Sequence, residues 1–588
     1  MPGMSTKSPM PPSENPPPSD TRVQVIVATS VMLTFISFWR AASIVLCDLG
    51  SSAFYVGGIS EYAVGKAAPW FILAVMLFAS AVRAVYIESC VMFVRGGVYR
   101  VVKTALGGSL AKVSVSALMF DYILTGPISS VSAGKYLIGL ANDLLETAGF
   151  ALAIAEDAGS VVVALAVTLY FWRKNLKGLH ESSDKALRIM QITTVMVVLL
   201  IVWCLWTILL RRPSLPPFPV PENLHYGPHA LGWLKEGWVR HLGFLGIMIG
   251  FGHSVLAMSG EETLAQVNRE IAYPKVKNLK RAALVILIYT LAFTALVSFF
   301  AVMIIPDSVR PGFFDNLIGG LAVNVAGPHF ARLLFHIFVV IVGFLILSGA
   351  VNTAMIGSNG VLNRVSEDGV LSAWFRRPHA RYGTSYRIIN MVAILQLGTI
   401  VASRGRMELL GEAYAFGVIW SFVFNSLAML VLRFKARGPR EWRVPLNIRI
   451  GRTEVPVGIG LVLAVLLATA GTNLLTKQIA TISGLAFTGG FFLLFTVSEK
   501  MARRKAGKRA GLDEFQLIRE ETINPEAVRV RHSPVLVAVR DYKSLQQLEL
   551  ALTETNTRDT DVVVLTARII QGAAAGYGDF RGASIHGL

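Results

Sequence analysis

The sequence predicts an all-α membrane protein. Twelve transmembrane helices form a five-plus-five inverted repeat with helices 1 and 6 broken, and a small α/β fragment closes the chain. Three observations lead there. The 588 residues are 53% hydrophobic and only 16% charged, against about 25% charged in soluble domains. Twelve apolar runs follow one another, each near the ~20 residues that a bilayer core requires. Two of those runs are interrupted alike, by an acid, a glycine and a hydroxyl, at corresponding places in the two five-span halves.

Taken in order, residues 1–22 are rich in Pro and Ser and lack an apolar h-region, so they read as a disordered cytoplasmic tail and not a signal peptide. The transmembrane domain is expected over 23–498, with spans near 34–64, 67–92, 111–141, 150–173, 187–210, 241–264, 281–305, 330–357, 386–403, 407–434, 455–475 and 478–498. The apolar stretch 23–64 is too long for one span. An interfacial helix over Val23–Trp39 is preferred to an extra span. Lys and Arg gather after the even-numbered spans, for example Arg173, Lys174, Lys177 and Lys185 after the fourth and Arg433, Lys435, Arg437, Arg440 and Arg443 after the tenth. The positive-inside rule then puts both termini in the cytoplasm of a cell-membrane protein. The same clustering explains the net charge of +18 as topology and not as nucleic-acid binding. Cys47, Cys90 and Cys204 all lie in apolar segments, so neither a disulfide framework nor a metal site is implied. The proline-rich stretch Arg212–Pro221 lies outside, where its missing donors cost nothing. Residues 499–588 open with a basic run, Lys500–Arg509, suited to anionic lipid. Strands around 533–540 and 561–566 then flank a helix around 544–552, a partial βαβ unit similar to the start of a universal-stress-protein domain, with no nucleotide loop. Gly572–Leu588 reads as disordered.

The chemistry is expected at the interruptions. In span one Asp48 precedes Gly50, Ser51 and Ser52, with Tyr55 further on. A carboxylate near a bilayer centre costs about 2.5–3.5 kcal/mol or more and marks a functional site by default. The alternative is that Asp48 pairs with Arg40 or Arg83. Gly50 loosens the helix and frees backbone groups. In span six Ser259 and Gly260 precede Glu261, Glu262 and Thr263, so a break is expected near 259–260. Glu261 is expected to face a vestibule or a basic partner, and Glu262 to be the functional acid. Span three sets Tyr122, Thr125 and Ser129 on one helical face, either as cation ligands or as hydrogen-bonding glue between helices. Gly126-Pro127 would kink that helix, and Asp121 is expected to find a basic partner. His253 is expected to be a packed polar histidine more than a proton relay. Arg83 and Glu88 are expected to join a structural ion-pair network. Tyr414 in span ten is either a core aromatic or a ligand.

At these residues the chain resembles the amino acid–polyamine–organocation transporter superfamily. The likeness rests on Arg95–Arg100, on Ser259–Thr263 with Asn268–Arg281, and on Asn352 through Leu371, and covers about 35–495. It implies five-plus-five inverted repeats with two appended spans. Within that superfamily the chain looks most like KimA-type and KUP-type potassium–proton symporters. That likeness implies a cation site at Asp48, Tyr55, Tyr122, Thr125, Ser129, Ser259 and Tyr414, with Glu262 coupling the proton and Ser259 standing where the family usually has Thr. A cytoplasmic domain after the last span recurs in that type and leaves a homodimer open. The expected function is therefore proton-coupled potassium uptake. The alternatives are an amino acid or amine permease, by proton symport or exchange, and a non-transporting membrane sensor. No enzyme motif sits at membrane depth, and no cofactor is implied. The expected partners are potassium and protons, or an amino acid or amine, together with the lipid bilayer.

Overall fold

A computed structural model describes residues 26–29, 36–93, 97–150, 153–178, 183–234, 243–379, 381–436, 438, 440–450, 453–506, 516–519, 534–538, 546–556 and 560–565. The N-terminal tail, the loop residues Arg95 and Gly96, the end of the basic run and Gly572–Leu588 lie outside the described residues. The chain divides into two compact units. One lies within Thr34–Ala502, and the other combines the N-terminal strand with the segment after Arg503.

In the larger unit, α1 (Phe38–Leu49) starts where the Ser37 hydroxyl accepts from the Arg40 amide. It ends in a tighter turn over Gly50–Phe54, and α2 (Val56–Val64) resumes beyond it. The cause is local. Ser51 Oγ donates to the Asp48 carbonyl at 2.6 Å and Ser52 Oγ to the Leu49 carbonyl at 2.7 Å, competing with the helical ladder. The chain continues through α3 (Ala68–Met92), the amphipathic α4 (Val98–Leu106), the 40-residue α5 (Gly108–Thr147), α6 (Glu156–Leu176) and α7 (Ser183–Arg211). The span-six region is a true interruption. α8 (Gly243–Ser254) gives way to a tight turn over Val255–Met258, and only the short α9 (Thr263–Val267) follows. Next come α10 (Lys275–Thr290), a π turn over Leu291–Ala295, α11 (Leu296–Ile304), α12 (Leu317–Asn324), α13 (His329–Glu367), the single turn α14 (Ala373–Arg376), α15 (Tyr386–Ser403), α16 (Met407–Lys435), α17 (Val457–Thr476) and α18 (Gln478–Ala506).

Among the described residues nine helices are long and apolar enough to cross a membrane, with Phe38–Met92 counted as one. That run contains two of the expected spans. α5 and α6, where spans three and four are expected, fall outside the nine. Between Lys112 and Lys135, α5 carries Asp121, five serines, Thr125 and Gly126-Pro127, which lower its mean hydropathy although the helix buries these groups. The protein is thus a multi-pass, mostly helical membrane protein. Large apolar side chains along α7, such as Val198, Val202, Trp206 and Leu209, remain exposed, as expected of a face covered by acyl chains. α5 is the central post and packs most extensively against α13, α16 and α6.

Two ion-pair groups tie the helices together. Arg83 of α3 clamps Glu261 with both ends of its guanidinium, its Nε donating to Oε2 at 2.8 Å. Glu88 of α3 accepts from Arg433 Nη2 at 2.8 Å, from Arg440, and from the Val444 amide at 2.7 Å. The expected network therefore exists, but Arg83 and Glu88 serve separate partners.

The smaller unit holds two parallel strand pairs. One is β5 (Val535–Ala538) with β6 (Val562–Leu565), flanking α19 (Gln546–Glu554), with Val537 and Leu548 buried against each other. The other joins β1 (Ile26–Thr29) to β4 (Gln516–Arg519). The interfacial helix expected over Val23–Trp39 is thereby corrected. Ile26–Thr29 is extended, and among the described residues the first helix begins at Phe38. The β-rich Ile-Val-Ala-Thr run meets a partner strand some 490 residues along the chain, a pairing that hydropathy alone does not register. A short antiparallel hairpin, β2 (Ile448–Ile450) with β3 (Thr453–Val455), belongs to the larger unit.

Candidate functional site

The two interruptions meet. Gly260 adopts φ +94, and a Cβ there would stand 2.9 Å from the Leu49 amide nitrogen and 3.1 Å from the Asp48 carboxyl carbon. The positive φ and the close backbone approach both require glycine. At this junction Thr263 Oγ1 donates to Asp48 Oδ2 at 2.8 Å. Ser52 Oγ also reaches across to the Ala257 carbonyl at 3.4 Å. Asp48 is 3% exposed and forms no ion pair among the described residues. Both alternative arginines are engaged elsewhere, Arg40 with Asp184 at 2.6 Å and Arg83 with Glu261.

A chain of hydroxyls runs from the broken helix 6 to α5. Thr125 Oγ1 donates to the Asp121 carbonyl at 2.9 Å. Its proton is committed, so Tyr414 donates to Thr125 across 2.8 Å, and Ser259, in direct contact with the Tyr414 hydroxyl, donates to Tyr414. The sequence-predicted residues Ser259, Thr125 and Tyr414 are thus brought into one network. Tyr55 is buried and close enough to interact electrostatically with Asp48 and Tyr414. Tyr122 and Ser129 are buried on the same helix, but among the described residues their hydroxyls have no hydrogen-bond partner. Gly50, in the tight turn, sits against Ile346 of α13.

The two neighbouring glutamates differ entirely. Glu261 is the clamped partner of Arg83. Glu262 is 4% exposed, its Oε2 has no hydrogen-bond partner among the described residues, and its charge interacts with those of Asp48 and Asp121. Asp121 corrects an expectation: among the described residues no basic group pairs with it. It is fully buried, and neither carboxylate oxygen has a described partner at hydrogen-bond distance. Its place on α5 puts its backbone against α16, where a Cβ on Gly417 would come within 2.6 Å of the Asp121 amide, so this close packing requires glycine at 417.

Sequence reasoning missed Thr263 as the direct partner of Asp48. It also missed Tyr136, which donates to the Phe54 carbonyl at the end of the first break (2.8 Å) and accepts from the Ile318 amide (3.1 Å). Thr263 was legible as the last hydroxyl of Ser-Gly-Glu-Glu-Thr. Tyr136 carried no signal, because its targets are backbone groups on distant helices. His253 is packed as expected. Its Nε2 lies 3.2 Å from the Ala230 carbonyl, so that nitrogen carries the proton, and the adjacent Gly252 carbonyl accepts from Lys477 at 2.8 Å. Among the described residues no group of His, Cys, Asp and Glu is arranged to hold a metal cofactor.

A mostly helical, multi-pass fold that buries acids and hydroxyls where two interrupted helices touch defines a polytopic protein of the permease type. The chain belongs to the amino acid permease family of the amino acid–polyamine–organocation superfamily, a family of membrane transporters: the family model described as Amino acid permease matches residues 36–497. No protein with a curated description matches the chain.

Proposed function

We propose that this protein is a secondary transporter that takes up potassium together with protons. One observation carries the reading: Asp48, Asp121 and Glu262 are buried within range of one another's charge, with no ion-pair partner among the described residues. Unbalanced buried carboxylates are costly, so such a group favours a cationic occupant or protons. The neighbouring hydroxyls are the kind of oxygen that replaces the water shell of a monovalent cation. In this reading Asp48, Tyr55, Tyr122, Thr125, Ser129, Ser259 and Tyr414 supply ligands, and Glu262 carries the coupling proton. Gly50 and Gly260 mark the breaks about which one bundle rocks against the rest. Twelve spans in a five-plus-five inverted repeat with two appended, and cytoplasmic termini, complete the scheme.

The family description favours a second reading, an amino acid or amine permease. Carriers of that kind hold a substrate carboxylate at free amides of a helix break. Asp48 beside the first break would repel such a carboxylate, whereas a cationic amine would suit the acids. Rubidium uptake by proteoliposomes, with amino acids and amines as competitors at two pH values, separates the two. Saturable, acid-stimulated rubidium uptake that amino acids leave unchanged supports potassium. Uptake of a labelled amine or amino acid with no rubidium flux refutes it.

A further inference from the structure

Asp121 is the one buried carboxylate at the helix junction to which the ligand scheme above assigns no role. Among the described residues no cation pairs with it. The acids that face it are Asp48, on the broken helix 1, and Glu262, beside the broken helix 6. The remaining titratable groups in range are phenols: Tyr86 of α3, Tyr122 of α5, Tyr414 of α16 and Tyr55 at the first break. The nearest arginine on α3, Arg83, is bound to Glu261. Tyr414, whose hydroxyl acts on the Asp121 carboxylate, hydrogen-bonds to Thr125 and Ser259 instead. The hydroxyl of Tyr122 and the Oε2 of Glu262, both at least nine-tenths buried, likewise lack hydrogen-bond partners among the described residues. A helix-stabilising ion pair does not explain the residue: among the described residues no arginine or lysine pairs with Asp121 and neither carboxylate oxygen has a partner at hydrogen-bond distance, although the Tyr414 hydroxyl acts on it.

We propose that Asp121 is a second proton-carrying carboxylate of this transporter, acting beside Glu262, so that each cation held at Asp48 moves with one proton on each of these two acids. The inference rests on the cation-transport reading, and it applies equally to an inorganic or an organic monovalent cation. Charge counting motivates it. One cation balances one carboxylate, and the two others are balanced by a proton apiece. The loaded site is then neutral and can cross a low-dielectric barrier. When the site opens to the less acidic side, both acids release their protons to water as the cation departs. Each event is a simple ionisation of an O–H bond and needs no further reactant.

The test is a reversal-point measurement in proteoliposomes, with rubidium and then a small primary amine as the probe. The opposing cation gradient that just stops net flux at a fixed pH difference reports protons per cation independently of rate. The expected value is two for the wild-type protein and one for Asp121→Asn. An unchanged ratio in Asp121→Asn, beside a proton-coupled wild type, overturns the inference and leaves the cation reading intact. A wild type with no pH-driven flux of either probe overturns both. A second measurement on the wild-type chain stands even if the variant fails to fold. A hydrophobic carbodiimide adds to a buried, protonated carboxyl to give an acylurea, and mass spectrometry locates the adduct. Adducts on both Asp121 and Glu262 at acid pH, fading as the pH rises and at least as abundant with saturating rubidium or amine, support the inference. Modification of Glu262 alone overturns it.

Discussion

Replacing Asp48 by asparagine removes one charge from the helix junction while keeping the shape and the acceptor oxygen. The Thr263 hydroxyl, which donates to Asp48 Oδ2 at 2.8 Å, can donate to an amide oxygen as well, and no ion pair is broken. The fold should therefore survive, and what is lost is attraction for a cation. Two unit charges about 4 Å apart interact by roughly 4 kcal/mol at the effective dielectric constant of ~20 suited to protein sites. The amide dipole recovers part of that, leaving a loss of about 3 kcal/mol, or roughly a hundredfold in affinity. Rubidium uptake at about ten times the wild-type Kd should accordingly fall roughly tenfold in Asp48→Asn, with the protein still monodisperse and its melting temperature within a few degrees. The apparent rubidium Kd can be read independently from ligand-induced thermal stabilisation. A variant that binds and transports rubidium with wild-type affinity would refute direct coordination by Asp48 and the charge argument with it.

Three further outcomes are expected. Gly260→Ala must relieve a φ of +94 and a 2.9 Å approach to the Leu49 amide, so transport should be lost together with about 1–3 kcal/mol of stability, seen as a lower melting temperature in detergent. Arg83→Met strands the buried Glu261 carboxylate and should cost about 3–5 kcal/mol, whereas Arg83→Met combined with Glu261→Gln should recover much of it; equal destabilisation of the single and double variants would show that the pair is not the reason. Asp307, in the connection after α11, is held below the usual carboxylate range, first by its hydrogen bond from Lys66 and further by Arg310 at 2.7 Å. Because its pKa is lower folded than unfolded, its stabilising contribution is present above about pH 4 and fades as pH falls through the folded value. The side chain is exposed, so the effect is small, below about 1 kcal/mol. Asp307→Asn should melt slightly below the wild type at pH 7, and the two should converge once the pH has fallen below the folded value.

Membrane residence and helical class follow from composition and run length alone, because a bilayer admits only segments that satisfy their own backbone and present apolar side chains to lipid. The interruptions were legible too. Ser51 and Ser52 beside Gly50, and Ser-Gly before the paired glutamates, are local competitors of helix, and local chemistry acts between residues a few positions apart. What no stretch of sequence could decide is which acids are balanced. Glu261 and Glu262 are chemically identical neighbours, yet one meets Arg83, 178 residues away, and the other meets no base among the described residues. Asp121 looked like the partner of some arginine, and only the packing of α5 against Gly417 and the helix junction leaves it without one. The strand at Ile26–Thr29 was hidden for the same reason, since its partner lies near the other end of the chain. Charge balance in a buried site depends on side chains that approach from separate helices. It is therefore decided by tertiary packing, whereas span and break formation are decided by the segment itself.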